Sequence, residues 1–397
     1  MSEYDVVVVA GGGPAGLQFA RELGRRTDHS VVVLEANERL ADNDKSTGGT
    51  FEQVVDGFDV ADDVVMGASE DVVFEGPTAS VRLPISNSVL DFSAFLEFLG
   101  EDAEADGVGV HTGTRVTGPL LDDGRVVGVR TRDDETYRAD LVVDGTGPDG
   151  TLTSALGMWN RDAAQRGIGK EFEVEGRYEE DAMLFAFDHD VAPGGYAWVF
   201  PAGDGVFKAG VCWVDDFHAR RRTDHTIDDY VRDWLDADPR WTVESIRAGH
   251  AGEVRSDNSV NQRAADGLLA VGDSVSSINP LFGEGIRPAM ESARMAADTA
   301  IEALLAGDTS RRRLAAYERR WNREKGSKWK TQRVVGELLY DFDAGQQDAF
   351  VERTGRLSDA AADRLQRYDL SVRDLLSLYP YRRRDLRKVP TLLRHAW

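Results

Sequence analysis

Val6-Val-Val-Val-Ala-Gly-Gly-Gly-Pro-Ala-Gly16 is the stretch that decides the fold. A β-branched run leads straight into Gly11, Gly13 and Gly16, which reads as a buried strand, a glycine turn and a helix from Ala15 to about Arg26. Gly11 permits the tight turn. Gly13 lets a pyrophosphate approach the backbone, and Gly16 lets helix and strand pack closely. Free N–H groups at the helix start favour the phosphates. A second apolar strand, Val31-Val-Val-Leu34, ends in Glu35, roughly twenty residues on, where a carboxylate can bind ribose hydroxyls. Together these features predict a dinucleotide-binding unit. A turn without a ligand would leave its glycines as an unexplained entropic cost.

The chain has 397 residues, enough for two domains or one large α/β unit with insertions. Its net charge is −23, lysine is scarce, and arginine carries nearly all the positive charge. Such a surface repels itself in dilute salt and is tolerated when salt screens it, which reads as adaptation to a high-salt cytoplasm. The charge argues against nucleic-acid binding. The single cysteine, Cys212, excludes an internal disulfide and a Cys-ligated iron–sulfur cluster. The histidines show no ligand spacing, so no metal is expected. The fold begins within a few residues of Met1, and no apolar run is long enough to span a bilayer, so the expected location is cytoplasmic.

Further along, Lys45-Ser-Thr-Gly-Gly-Thr50 forms a loop, and residues 51 to 90 alternate as short antiparallel strands. Phe92 to Ala105 has helical spacing. Val108-Gly-Val-His111 and Arg115-Val116 resemble sheet strands, and a hairpin is predicted across Asp133-Asp134. Leu141-Val-Val-Asp144 returns to the sheet and stops in Gly145-Thr-Gly147. From about Arg166 to His250 the pattern is strand-rich and aromatic, with one helix near Ile227 to Leu235. Leu268-Leu-Ala-Val271 is again a buried strand, and a helix follows from about Gly285 to Leu305. Ser310 to Trp397 is helical, polar and arginine-rich.

The second informative stretch is Gly272-Asp-Ser-Val-Ser-Ser-Ile-Asn-Pro-Leu-Phe-Gly-Glu-Gly-Ile286. A strand-end aspartate can bind a sugar-like chain. A loop of Pro280, Gly283 and Gly285 can lie flat against a planar ring, and the following helix presents its positive end to it. These residues resemble the second FAD fingerprint of the p-hydroxybenzoate hydroxylase flavoproteins. Asp144-Gly-Thr-Gly147 with Asp149-Gly150 is similar to the middle fingerprint, near the FAD pyrophosphate. The resemblance implies an α/β, Rossmann-like FAD-binding domain with an inserted antiparallel-sheet substrate domain and a helical C-terminal region. The implied bounds are 1–50, 90–165 and 251–305 for the FAD domain, 51–89 and 166–250 for the sheet domain, and 306–397 for the helical region. FAD is expected to meet Gly11, Gly13, Pro14, Ala15, Gly16, Glu35, Gly48, Gly49, Val116, Gly272, Asp273, Gly283, Gly285 and Ile286.

Tyr196-Ala-Trp198-Val-Phe200-Pro201, followed by Gly210, resembles the substrate-domain motif of the geranylgeranyl reductases. Those enzymes use reduced FAD to saturate isoprenoid double bonds of archaeal lipids, diphosphates, chlorophyll side chains or quinone tails. Tyr196, Trp198 and Phe200 are then expected to line one face of a strand beside a long apolar substrate. Two departures stand out. Thr47 occupies the position of the family's cysteine, which is implicated in the reduction, and Cys212 occupies that of a second glycine. An arginine often found in the helix near Phe92 is also absent. Thr47 by position and Tyr196 by chemistry are the candidate proton donors. The implied partners are a hydrophobic isoprenoid and a reductant, either ferredoxin or NAD(P)H. The alternatives are a monooxygenase, halogenase-like or carotenoid-cyclase-like enzyme on the same scaffold, or a non-catalytic flavoprotein that binds a polyprenyl or quinone tail. The basic tail Tyr379–Trp397 reads equally as a peripheral membrane contact or as a helix folded on the acidic body.

Overall fold

The computed structural model describes residues 2–45, 47–221, 224–256 and 262–381. The opening strand, Ser2–Ala10, leads into the helix Pro14–Arg26 through the glycine turn, as its sequence predicts. It sits inside a parallel array ordered Leu268–Ala270, Thr136–Asp144, Ser2–Ala10, Val31–Leu34, Gly109–His111. Valines from the strand fill both faces. Val7 and Val9 pack with one group of helices and Val8 with the other side, all fully buried. This is why the strand reads as a continuous apolar run instead of an alternating one.

Two antiparallel strands extend this sheet beside Thr136–Asp144. Val116–Asp122 pairs with Arg125–Thr131, which pairs with the first half of Thr136–Asp144 across the predicted Asp133-Asp134 turn. Arg115-Val116 therefore opens an antiparallel strand and does not continue the parallel array. The expected helix at Phe92–Ala105 has those bounds, because Asp91 caps it by accepting from the Ala94 N–H at 3.0 Å.

The second sheet runs in the order Trp241–Ser256, Gln165–Tyr178, Val206–Val214, Gly195–Pro201, Met183–Ala186, Val65–Glu75, Ser80–Leu90, Gly49–Phe51. It is antiparallel except where Met183–Ala186 runs parallel to Val72–Glu75. These two strands come from chain segments separated by a return to the first sheet, so no hairpin constrains their direction. One face is covered by the helix Ile227–Ala237, with Val231 and Trp234 packed on Phe172, Val199 and Val211. The other face carries Trp198, Phe200, Phe74 and Ile85. It is roofed by the helices Ser327–Leu339, Ala344–Thr354, Asp359–Gln366 and Val372–Leu378. The C-terminal region is thus a wall of the core and not an appendage. The basic tail from residue 382 onward lies outside the described residues. Among the described residues no helix is long and apolar enough to cross a membrane.

Candidate functional site

The site begins where two neighbouring parallel strands end. Ala10 and Asp144 are paired partners, and the chain turns away from both in glycine. From Ser2–Ala10 the chain crosses to one side, while Thr136–Asp144 lies on the other, so their carboxyl ends mark a topological switch point. Gly11 has φ +104°, and a β-carbon there would lie 2.3 Å from the Gly145 carbonyl oxygen. A β-carbon on Gly16 would lie 2.0 Å from the Gly11 carbonyl oxygen. At Gly13 nothing lies within 4 Å, so the space over the turn is open. The helix that follows has Pro14 in its first turn and no side-chain cap, which leaves its first N–H groups facing that space.

Glu35 ends the neighbouring strand beside this turn. Its carboxylate accepts from the Gly12 N–H at 2.7 Å and from the Asn37 N–H at 2.8 Å, so it also braces the glycine turn. Asp144 has a different role from the other strand-end acids. It is fully buried and accepts from Thr146, Leu152 and Thr153, fixing the Gly145–Gly150 turn from behind. Burial pushes its pKa up, and these hydrogen bonds oppose that.

A cavity of about 790 Å³ runs from this turn to the roof of C-terminal helices. It is lined by Gly11, Gly13, Pro14, Ala15, Glu35, Thr47, Gly49, Val116, Tyr196, Trp198, Phe200, Gly272, Asp273, Gly283, Gly285 and Ile286. Gly16 and Gly48 stand one layer back. Gly16 packs on Gly11, and Gly48 accepts from the Leu90 N–H at 2.9 Å. One continuous space therefore joins the Gly11–Gly16 turn and the Gly272–Ile286 loop to the aromatic strand that lies between them in sequence.

Asp273 faces this space with one oxygen, Oδ1, that is buried and has no protein partner. Burial pushes its pKa up to about 6, against a hydrogen bond from the Ile278 backbone. Glu284 is pushed up to about 7 by burial, opposed by the nearby Arg287. Glu284 accepts from the Arg287 N–H at 2.8 Å, so one donor at the start of the helix Ile286–Leu305 is already taken.

The far wall is aromatic. Tyr196 and Trp198 rings lie 6.0 Å apart, Trp198 and Phe200 6.2 Å, and Phe185 and Phe200 5.3 Å. Ala197 and Val199 between them face the opposite core, the period of two expected of a strand buried on both sides. Phe200 also meets the loop, since a β-carbon on Gly49 would lie 2.4 Å from its ring.

The candidate acids fare differently. The Tyr196 hydroxyl donates to the Phe282 carbonyl at 2.5 Å, and burial holds its pKa well above the ordinary phenol value. Both effects make it a poor proton donor. The Thr47 hydroxyl accepts from the Gly49 N–H at 3.1 Å, and its carbonyl accepts from Lys208 Nζ at 3.0 Å. An aliphatic hydroxyl is a far weaker acid than a thiol or carboxyl. The Cys212 thiol meets the Tyr196 carbonyl at 3.5 Å and is pushed up to about 12 by burial, so it is no substitute.

Residues 87–373 match the family described as tryptophan halogenase, and the chain is a member of that broad family. The digeranylgeranylglycerophospholipid reductase of Haloferax volcanii is 38% identical over 377 residues, covering 91% of this chain and 91% of that protein. The chain belongs to the geranylgeranyl reductase family. Digeranylgeranylglycerophospholipid reductase 1 of Methanopyrus kandleri is 28% identical, over 90% of this chain and 96% of its own length. Among solved structures, a geranylgeranyl bacteriochlorophyll reductase-like protein from Thermoplasma acidophilum superposes with a TM-score of 0.84 at 20% identity, covering 99% of this chain and 98% of that one. A flavin-dependent brominase superposes with a TM-score of 0.70 at 18% identity, over 99% and 98% of the two chains. These two likenesses establish the shared fold.

Sequence reasoning missed several cavity residues. Tyr340, Leu365 and Tyr368 line the roof from the C-terminal helices and the turns beside them, and Phe74, Ile85 and Phe185 extend the aromatic wall. Their spacing signals burial but not which space they face. Glu171 and Glu284 were missed as well, because a glutamate in an alternating strand or a loop reads as solvent-facing.

Proposed function

We propose that this geranylgeranyl reductase family member is an FAD-dependent reductase that saturates double bonds of an isoprenoid chain carried by an archaeal membrane lipid or a quinone tail. The observation that carries the reading is the joining of the glycine turn, the Asp273 loop and an aromatic wall in one cavity. The identity to the Haloferax volcanii reductase supports the substrate class.

The residues present fit FAD. Gly13 leaves open space at an uncapped helix start, and a buried Asp273 oxygen waits for a donor. The pyrophosphate would be held by Gly11, Gly13, Pro14, Ala15 and the helix behind Gly16. Glu35 and Val116 would hold the adenosine, Asp273 the ribityl chain, and Gly49, Gly283, Gly285 and Ile286 the ring. When bound, FAD supplies hydride chemistry. The chain's own part is positional. Tyr196, Trp198 and Phe200 present an apolar face that matches an alkene chain lacking hydrogen-bonding groups. The roof of C-terminal helices packs over this face and would hold the reacting carbons against it.

The reduced holoenzyme, kept free of oxygen and given a geranylgeranyl lipid, should return a product two hydrogens heavier per saturated bond. Addition of an oxygen atom, only when oxygen is admitted, would replace this reading with a monooxygenase. An unchanged lipid that co-purifies would favour a carrier. Glu35→Ala should weaken FAD retention by roughly 1–3 kcal/mol, since it removes both the ribose contact and the brace on Gly12. Flavin-to-protein ratio after gel filtration reads this directly, and unchanged occupancy would mean the adenosine is held elsewhere.

A further inference from the structure

We propose that Glu171 is the proton donor of the reduction, a catalytic acid set into the aromatic wall. This rests on the reading of the chain as an isoprenoid reductase.

The argument starts from strand register. Glu171 lies opposite Gly210, and Gly210 lies opposite Trp198, so the three residues form a row across adjacent strands. Gly210 has no side chain, and the Trp198 indole lies over it. A β-carbon there would come within 2.2 Å of the ring. Through this gap Trp198 Nε1–H reaches Glu171 Oε2 at 2.7 Å. Glu171 is only 2% exposed and lines the cavity, and its second oxygen, Oε1, is buried with no partner. A buried carboxyl with one oxygen fixed and the other bare is costly for structure alone. It is suited to carrying a proton that it gives away.

The surroundings favour the acid form. Burial raises the Glu171 pKa, and Glu173 on the same strand adds to this. Lys208 on one neighbouring strand, His250 on the other and the Trp198 N–H pull it down by lesser amounts. Lys208 is directed elsewhere, to the Thr47 carbonyl at 3.0 Å. That contact also ties the Thr47 loop to the wall that holds Glu171. Two other cavity-lining acids have a pKa raised by burial, Asp273 and Glu284, and both lie in the glycine loop.

In the step, the Glu171 O–H bond breaks as a C–H bond forms at one alkene carbon. The neighbouring carbon accepts the hydride pair brought by reduced flavin, the C=C π bond is consumed, and the carboxylate regains its proton from water. Because the acid form is the active one, the rate should fall as pH rises through the Glu171 pKa.

The test uses FAD-loaded protein, reduced with dithionite without oxygen and mixed with a geranylgeranyl ether lipid in micelles. Glu171→Gln keeps an oxygen for the Trp198 N–H, so a purely structural role would survive. The proposal expects E171Q to retain its flavin and its reduction by dithionite, yet to slow alkene saturation by about 10²–10⁴-fold with no pH dependence. It also expects the carboxylic-acid C=O stretch of wild-type infrared spectra to be missing in E171Q, a readout that needs no turnover. Saturation by E171Q within about threefold of wild type, or an unchanged infrared band, would overturn it while leaving the reductase reading intact. Wild-type protein that leaves the lipid unreduced would overturn both. If E171Q does not fold, Glu171→Asp carries the test. It retains an acid, so a reduced but still pH-dependent rate supports the role, and a pH-independent rate overturns it.

Discussion

Gly16→Val is expected to yield a colourless and strongly destabilised protein. A β-carbon at this position lies 2.0 Å from the Gly11 carbonyl oxygen and 3.3 Å from Val9. The obstacle is backbone, so no side-chain rotation relieves it. The helix Pro14–Arg26 must lift from the strand, and with it go the N–H groups that face the open space over Gly13. It cannot lift freely, because Leu17, Phe19, Ala20 and Leu23 are buried beneath it with no exposure. Overpacking against fixed backbone typically costs 1–3 kcal/mol, and loss of cofactor linkage adds roughly a further 3–4 kcal/mol for a ligand held well above its Kd. Flavin absorbance after gel filtration and the thermal midpoint in concentrated salt measure both effects. Wild-type flavin content would show that the phosphates do not sit on this turn.

Asp273→Asn should act in opposite directions on the empty and the loaded protein. The carboxyl has a folded-state pKa raised to about 6 by burial. A raised carboxylate pKa means that the fold prefers the protonated form. Its favourable contribution is fully present below about pH 4, and it is lost as pH climbs through 6. At pH 7 the cofactor-free protein carries a buried anion at a cost of roughly 2–3 kcal/mol, since each tenfold step is worth about 1.4 kcal/mol. Asparagine removes that charge, so the cofactor-free variant should melt higher than wild type at pH 7–8 and equal to it near pH 4. In the same variant FAD should bind at least tenfold more weakly, because a hydroxyl donor meets a weaker acceptor than a carboxylate. Equal midpoints at pH 7 would show that Asp273 is not strained, and unchanged FAD affinity would remove it from the ribityl contact.

The dinucleotide unit was legible because its signals are local. Four consecutive valines, three spaced glycines and a strand-end Glu35 each have a physical reason visible within the stretch itself. The helix at Phe92–Ala105 was equally legible through its cap and its period. The site was legible only where it used such motifs. Glu171 sits in Lys170-Glu171-Phe172, which looks like any alternating strand. Its importance depends on facing a glycine on the next strand and a tryptophan on the one after, and register between distant segments leaves no local mark. Tyr340 and Tyr368 were hidden for the same reason, because helical spacing reveals a buried side but not the cavity behind it. Tyr196 shows the converse. Its chemistry suggested an acid, but the Phe282 carbonyl that engages its hydroxyl lies in the glycine loop.

The chain passes back and forth between the two sheets. Ser2–Leu34 belongs to the first and Gly49–Leu90 to the second. Gly109–Asp144 returns to the first, Gln165–Ser256 to the second, and Ala264–Ala270 to the first again. Neither sheet is a continuous stretch that could be cut out or could collapse alone. Each is an insertion in the other, so melting should be interlocked: calorimetry should give one cooperative endotherm, and limited proteolysis should release neither half as a folded fragment.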